Sequence, residues 1–193
     1  MKLSGSYQIN LEKQKVWEAL NDPEILKQAI PGCEEFRKNS DTEFTAKATN
    51  KIGPFNASFT GDIELNDLNP PNSYKISGSG NSPVGFASGE ANVKLEDHQD
   101  GTKLTYEVEA NVGGKIAQVG SRLIDMTAKK MADIFFKKFS EVISKETITS
   151  KDQIDTEEEI SENQISKKQK SNNKTLYYSA SVLVAAIIIY LIF

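Results

Sequence analysis

The sequence predicts an α+β fold: a curved antiparallel sheet closed around one long C-terminal helix, with a transmembrane helix at the end of the chain. Three observations point there. From residue 2 to residue 112 one run after another alternates apolar and polar side chains, so each strand is dry on one face only. The links between these runs are too short for crossover helices, which leaves antiparallel pairing. Residues 113–142, GGKIAQVGSRLIDMTAKKMADIFFKKFSEV, place Ile116, Val119, Leu123, Met126, Met131, Ile134, Phe135, Phe139 and Val142 at steps near a helical turn. Gln118, Arg122, Asp125, Lys129, Asp133 and Lys137 mark the opposite, wetted side. A helix of that length cannot bury its stripe against itself, and the one-faced strands supply the partner.

In chain order, Leu3, Gly5, Tyr7 and Ile9 form the apolar face of a first strand. Residues 13–20 and 23–30 read as two short helices, the second with Asp22 as N-cap and Pro23 at its first position. Pro31-Gly32 stops it. A short, weak strand covers 34–39. Phe44, Ala46 and Ala48 share a face of the next, and Gly53-Pro54 breaks it. Phe55, Ala57, Phe59, Gly61, Ile63 and Leu65 alternate without error, and Asn69-Pro70-Pro71-Asn72 turns the chain. Tyr74 and Ile76 lead into a loose Gly/Ser segment, 77–85. Gly89, Ala91, Val93 and Leu95, then Leu104, Tyr106, Val108, Ala110 and Val112, complete the sheet. Gly113-Gly114 separates the last strand from the helix.

The folded domain is expected over residues 1–144. Residues 145–175 lack aromatic side chains and are dominated by charged and polar ones, which predicts a flexible charged linker. The acidic run 155–159 reads as a solvated spacer that keeps this linker off an anionic membrane. From Leu176 to Phe193, LYYSASVLVAAIIIYLIF carries no charge. As a helix it spans roughly 27 Å, close to the ~30 Å hydrocarbon core. Lys167, Lys168, Lys170 and Lys174 precede it, which predicts a single-pass anchor in the cell membrane with the folded domain in the cytoplasm.

The chain has 193 residues and a net charge of −4, with no basic stripe, which argues against a nucleic-acid surface. The first residues, MKLSGSYQIN, lack the apolar core of a signal peptide, so the folded part is expected to stay where it is made. The single cysteine, Cys33, cannot form an internal disulfide and favours a reducing compartment. Its acidic neighbours Glu34 and Glu35 raise rather than lower its pKa. The only histidine, His98, falls in a turn with no nucleophile placed by a motif. No spacing proposes a metal site. Catalytic residues are therefore expected to be absent.

The inward face of the sheet is rich in small residues: Gly5, Ala46, Ala48, Ala57, Gly61, Gly78, Gly89, Ala91 and Ala110. Since cores fill to near crystal density, either the helix comes close or space is left for a ligand. The side chains expected to line such a space are Phe44, Phe55, Phe59, Tyr74, Phe86, Val93, Tyr106, Leu123, Met126 and Met131.

The blocks DPEILKQAIPGCEEF (22–36), KIGPFNASFTGDIEL (51–65), GFASGEANVKL (85–95) and TKLTYEVEANVGGKIAQVGSRLID (102–125) resemble, in order, the family of the carbon monoxide dehydrogenase CoxG subunit. The resemblance covers about residues 1–143. That family belongs to the START/Bet v 1-like (SRPBCC) superfamily, so the resemblance implies a helix-grip fold around an apolar cavity. It also implies a membrane-associated, non-catalytic accessory that recruits a molybdenum-hydroxylase-type oxidoreductase and carries a menaquinone-like quinone or a lipid. It brings no catalytic residue with it. Three functions stand in order: a tail-anchored carrier of an apolar molecule, an adaptor with no ligand, and an enzyme of the cyclase or hydratase kind. The last needs titratable groups pointing inward, and the strand pattern places Asp62, Glu64, Glu107 and Glu109 outward.

Overall fold

The computed structural model describes residues 1–152. Seven strands form one antiparallel sheet in the order β1-β7-β6-β5-β4-β3-β2. They are β1 (Lys2–Ile9), β2 (Cys33–Lys38), β3 (Glu43–Ile52), β4 (Phe55–Asn69), β5 (Ser73–Ser82), β6 (Gly85–His98) and β7 (Gly101–Gly113). Helices α1 (Lys13–Ala19) and α2 (Pro23–Ala29) connect β1 to β2, and α3 (Ser121–Asp152) follows β7. The chain runs from β2 to β7 as a meander, and β1 then pairs with β7, so the sheet needs no crossover inside it.

The local signals act as their chemistry dictates. Asp22 accepts from the backbone N–H of Glu24 at 2.8 Å and of Ile25 at 3.4 Å, while Pro23 occupies the first turn, where no amide is missed. Odd-numbered residues of β6 and even-numbered residues of β3 and β7 are buried against the helices, as the period of two requires.

Two expectations are corrected. The run 113–142 is not one helix. Gly113 ends β7, a 3-10 turn spans Lys115–Val119, and α3 begins at Ser121. Gly120 joins the two at φ 89, a left-handed conformation that glycine takes without strain. The Gly/Ser segment 77–85 is not loose, because β5 pairs with β6 without interruption from Ser73 to Ser82. The helix α3 itself runs to Asp152. The expected anchor, residues 176–193, lies outside the described residues. Among the described residues no helix is long and apolar enough to cross a membrane.

The core lies between the sheet's inner face and the three helices. The backbone of α3 approaches α2 and the edge strand β1, while the central strands stand further from it. Aromatic side chains span that separation: Phe135, Phe136 and Phe139 from α3, and Phe44 and Phe59 from the sheet, are all buried. The small residues of the sheet therefore do not mark a close helix approach.

Candidate functional site

The interior is assembled from pairs set by strand register. Gly5 lies opposite Tyr106 in the β1/β7 ladder, and the Tyr106 ring covers it so closely that a Cβ there would sit 2.5 Å from the Tyr106 oxygen. A ring laid over a cross-strand glycine fills the gap that the missing side chain leaves. Tyr7, two residues on, stacks on Phe136 of α3 with ring centroids 3.8 Å apart. Trp17 of α1 meets Tyr74 edge-on at 5.4 Å.

Of the ten side chains expected to line a cavity, Phe44, Phe59, Tyr74, Val93 and Tyr106 point inward and are buried. Phe55 and Met131 are half-buried, at the β3–β4 end of the sheet and on α3 respectively. Phe86 is corrected: it is 49% exposed and shares the outer face with Ser88 and Glu90, because its position in β6 has their parity. Leu123 and Met126 are corrected too: at 37% and 60% exposed, they stand outside the interior.

The register of α3 explains the last point. Its buried positions are Ala128, Ala132, Phe135, Phe136, Phe139 and Ile143. Met126 and Leu123 fall off that stripe. Asp125 falls on it, three residues before Ala128 and seven before Ala132. Periodicity predicts Asp125 on the wetted side. Instead it is half-buried, and its Oδ1 has neither accessible surface nor a hydrogen-bond partner among the described residues. Asn50 is a second such group. It is buried on the inner face of β3, opposite Ala57, and its Nδ2 has no partner among the described residues. Sequence reasoning misses Asn50, although a polar residue at an inward parity position between Ala48 and Ile52 is a readable signal.

Burial raises the pKa of Tyr7, and its hydrogen bond to Asp133 raises it further. Burial likewise raises Tyr106. Burial pushes the Cys33 thiol up to about 11. On the outer face, Glu34, Glu96 and Glu109 are lowered by hydrogen bonds from Lys47, Lys94 and Lys2. No group of three or more metal-ligating side chains comes together among the described residues.

Three depressions of ≈ 700, ≈ 710 and ≈ 580 Å³ open on the outer face of the sheet. Charged side chains stand in each: Asp62, Glu64 and Glu90 in the first, Asp67, Lys75 and Lys94 in the second, Lys2, Glu107 and Glu109 in the third.

A meander sheet of this strand order, two short helices after the first strand and a C-terminal helix across the inner face define a helix-grip protein of the START/Bet v 1-like class. Solved structures agree. The chain superposes on an aromatase/cyclase, Zhui, from Streptomyces sp. R1128 with TM-score 0.54 and 12% identity, covering 76% of this chain and 95% of that one. Ara h 8.0201 gives TM-score 0.53 at 15% identity, with 75% and 98% covered. A conserved protein from Geobacillus kaustophilus gives TM-score 0.72 at 32% identity, covering 75% of this chain and 96% of that one. No curated protein matches the chain by sequence. The profile of the carbon monoxide dehydrogenase CoxG subunit matches residues 5–144, and the chain belongs to that family.

Proposed function

We propose that this chain is a non-catalytic, membrane-tethered accessory protein. It holds an apolar molecule, a menaquinone-like quinone or another lipid, between the sheet and α3. It presents that molecule to a soluble oxidoreductase of the molybdenum-hydroxylase type at the cytoplasmic side of the cell membrane. The observation that carries the reading is the separation of α3 from the central strands across a face of alanine and glycine. Phe55, Ala57 and Met131 along that seam keep part of their surface accessible. Apolar area of this kind holds a ligand at about 25 cal/mol per Å², less the cost of ordering it. Membership of the CoxG family supports the accessory role, and the uncharged segment 176–193 supports the tether. A tethered carrier meets bilayer and partner at high effective concentration.

The test is extraction of the full chain from membranes followed by mass spectrometry of what comes with it. A stoichiometric quinone or lipid, lost in an Ala57→Phe variant that still folds, supports the carrier. An empty protein that takes up no added quinone refutes it and leaves the adaptor. The adaptor is favoured by one observation of its own: Phe135, Phe136 and Phe139 already fill part of the interior.

A further inference from the structure

The cations of this domain are not distributed evenly between paired and unpaired. Lys2, Lys13, Arg37, Lys38, Lys47, Lys75 and Lys94 each hold a carboxylate within 3.1 Å. Among those that form no ion pair within the described residues, Lys51, Lys115 and Arg122 lie at one end of the molecule, and Lys129 and Lys130 follow about two turns along α3. Strands β3, β5 and β7 run in the same direction, so the β3–β4 and β5–β6 tips and the exit of β7 lie at a common edge. There a Cβ on Gly53 would touch Leu123 at 3.1 Å and Val119 at 3.4 Å, and Ile116 donates to the Val84 carbonyl at 2.9 Å.

Helical spacing places the unpaired charges around exposed apolar side chains. The neighbours of Met126 at three and four residues are Arg122, Leu123, Lys129 and Lys130. Met126 is the most exposed large apolar side chain among the described residues, and Leu123 beside it is also exposed. The one acid in this stretch, Asp125, turns its Oδ1 into the protein. A patch of positive charge therefore sits on a chain whose net charge is −4.

We propose that this end of the domain, centred on Met126 and Leu123 and ringed by Arg122, Lys129 and Lys130, docks on an anionic bilayer. Apolar tips enter the interface while the surrounding cations pair with lipid phosphates and carboxylates, as interfacial amphipathic surfaces do. The contact is separate from the segment 176–193 and needs no ligand in the interior. It rests on the membrane placement proposed above.

The test uses the full chain with Cys33→Ser, which keeps a donor toward the Glu35 carbonyl, and a polarity-sensitive dye on Met126→Cys. A control carries the dye on Asp100→Cys, in the β6–β7 turn at the other end. Vesicles are phosphatidylcholine alone, or equal parts phosphatidylcholine and phosphatidylglycerol. The expected result is a blue shift at position 126 on the anionic vesicles only, reversed by high salt and absent at position 100. Each cation near such a surface is worth about fivefold. The triple variant Arg122→Glu, Lys129→Glu, Lys130→Glu therefore moves the docked-to-free ratio at least about a hundredfold. Equal signals on the two vesicle types overturn the proposal, as does a shift that requires an added soluble protein. Flotation on neutral vesicles reads the tail alone, so a failed anchor and a failed docking face are told apart.

Discussion

Tyr7 donates its hydroxyl to Asp133 at 2.6 Å, and this bond ties the edge strand β1 to α3. The same side chain stacks on Phe136, so one residue contributes both a polar and an apolar link between sheet and helix. Tyr7→Phe keeps the stack and removes the bond. It is expected to lower stability by about 1 kcal/mol, read from the urea midpoint at constant slope. An unchanged midpoint would show that water replaces Asp133 at no cost.

That bond also predicts a pH dependence. The folded state holds the Tyr7 proton more tightly than the unfolded chain does. Its contribution is therefore complete below the ordinary tyrosine pKa of about 10 and is lost as pH rises through the folded value. Unfolding followed from pH 8 to pH 11 should show the wild type losing its advantage over Tyr7→Phe only above about pH 10. A gap that closes already near neutrality contradicts this.

Gly5 and Tyr106 give a packing test. Gly5→Ala drives a methyl into the tyrosine oxygen and ring, and overpacking of this kind costs about 1–3 kcal/mol. Tyr106→Phe does not relieve it, because ring carbon Cζ would still lie 2.7 Å away. Combining Gly5→Ala with Tyr106→Leu is expected to cost less than the two single changes together, which a double-mutant cycle measures.

Asn50 makes the opposite prediction. With Nδ2 unpartnered among the described residues, Asn50→Leu removes a desolvated donor and adds apolar burial. The empty domain is expected to gain about 1 kcal/mol in thermal or urea unfolding. A loss of that size instead would mean that the amide is satisfied in solution by a water or ligand.

Cys33 is the simplest to probe. Burial holds its thiol near 11, so few molecules carry the thiolate at pH 8. Labelling by a soluble disulfide reagent is expected to run at least about tenfold slower in the folded protein than in urea, after allowance for the higher nucleophilicity of a basic thiolate. Equal rates would place the thiol in water.

Much of this architecture is readable in the sequence because strand parity and capping are local. The strands from β3 to β7, the Asp22 cap and the inward set Phe44, Phe59, Tyr74, Val93 and Tyr106 follow from period two and from side chains that act on their own backbone. The misreadings have separate causes. Ile116 and Val119 look continuous with Phe135 and Phe139, yet the Gly120 dihedral resets the helical phase between them, while Leu123 and Met126 share α3 with those rings but fall off its buried stripe. Phe86 has the size of a core residue but the parity of the outer face in β6. The Gly/Ser stretch in β5 has weak strand propensity, and its conformation is fixed by the ladders on both sides. Phe136 and Asp125 depend on the rotation of α3 about its axis, which packing against α2 and β1 sets and local sequence does not.

The length of α3 turns the chain into a ruler. At 1.5 Å per residue its 32 residues extend about 48 Å. Leu123 lies beside the β3–β4 tip, whereas Asp133 has already reached Tyr7, toward the other end of β1. The backbone therefore leaves the fold on the side opposite Met126. If Met126 and residues 176–193 are to meet one bilayer, the chain after Asp152 must return over that distance. The intervening residues 153–175 reach roughly 76–83 Å at most when fully extended. Cutting this stretch to a third leaves about 25–28 Å, short of the roughly 39 Å of helix from Asp152 back to Met126. Stepwise deletion should thus keep the tail in the membrane while, past a sharp threshold, withdrawing Met126 from it.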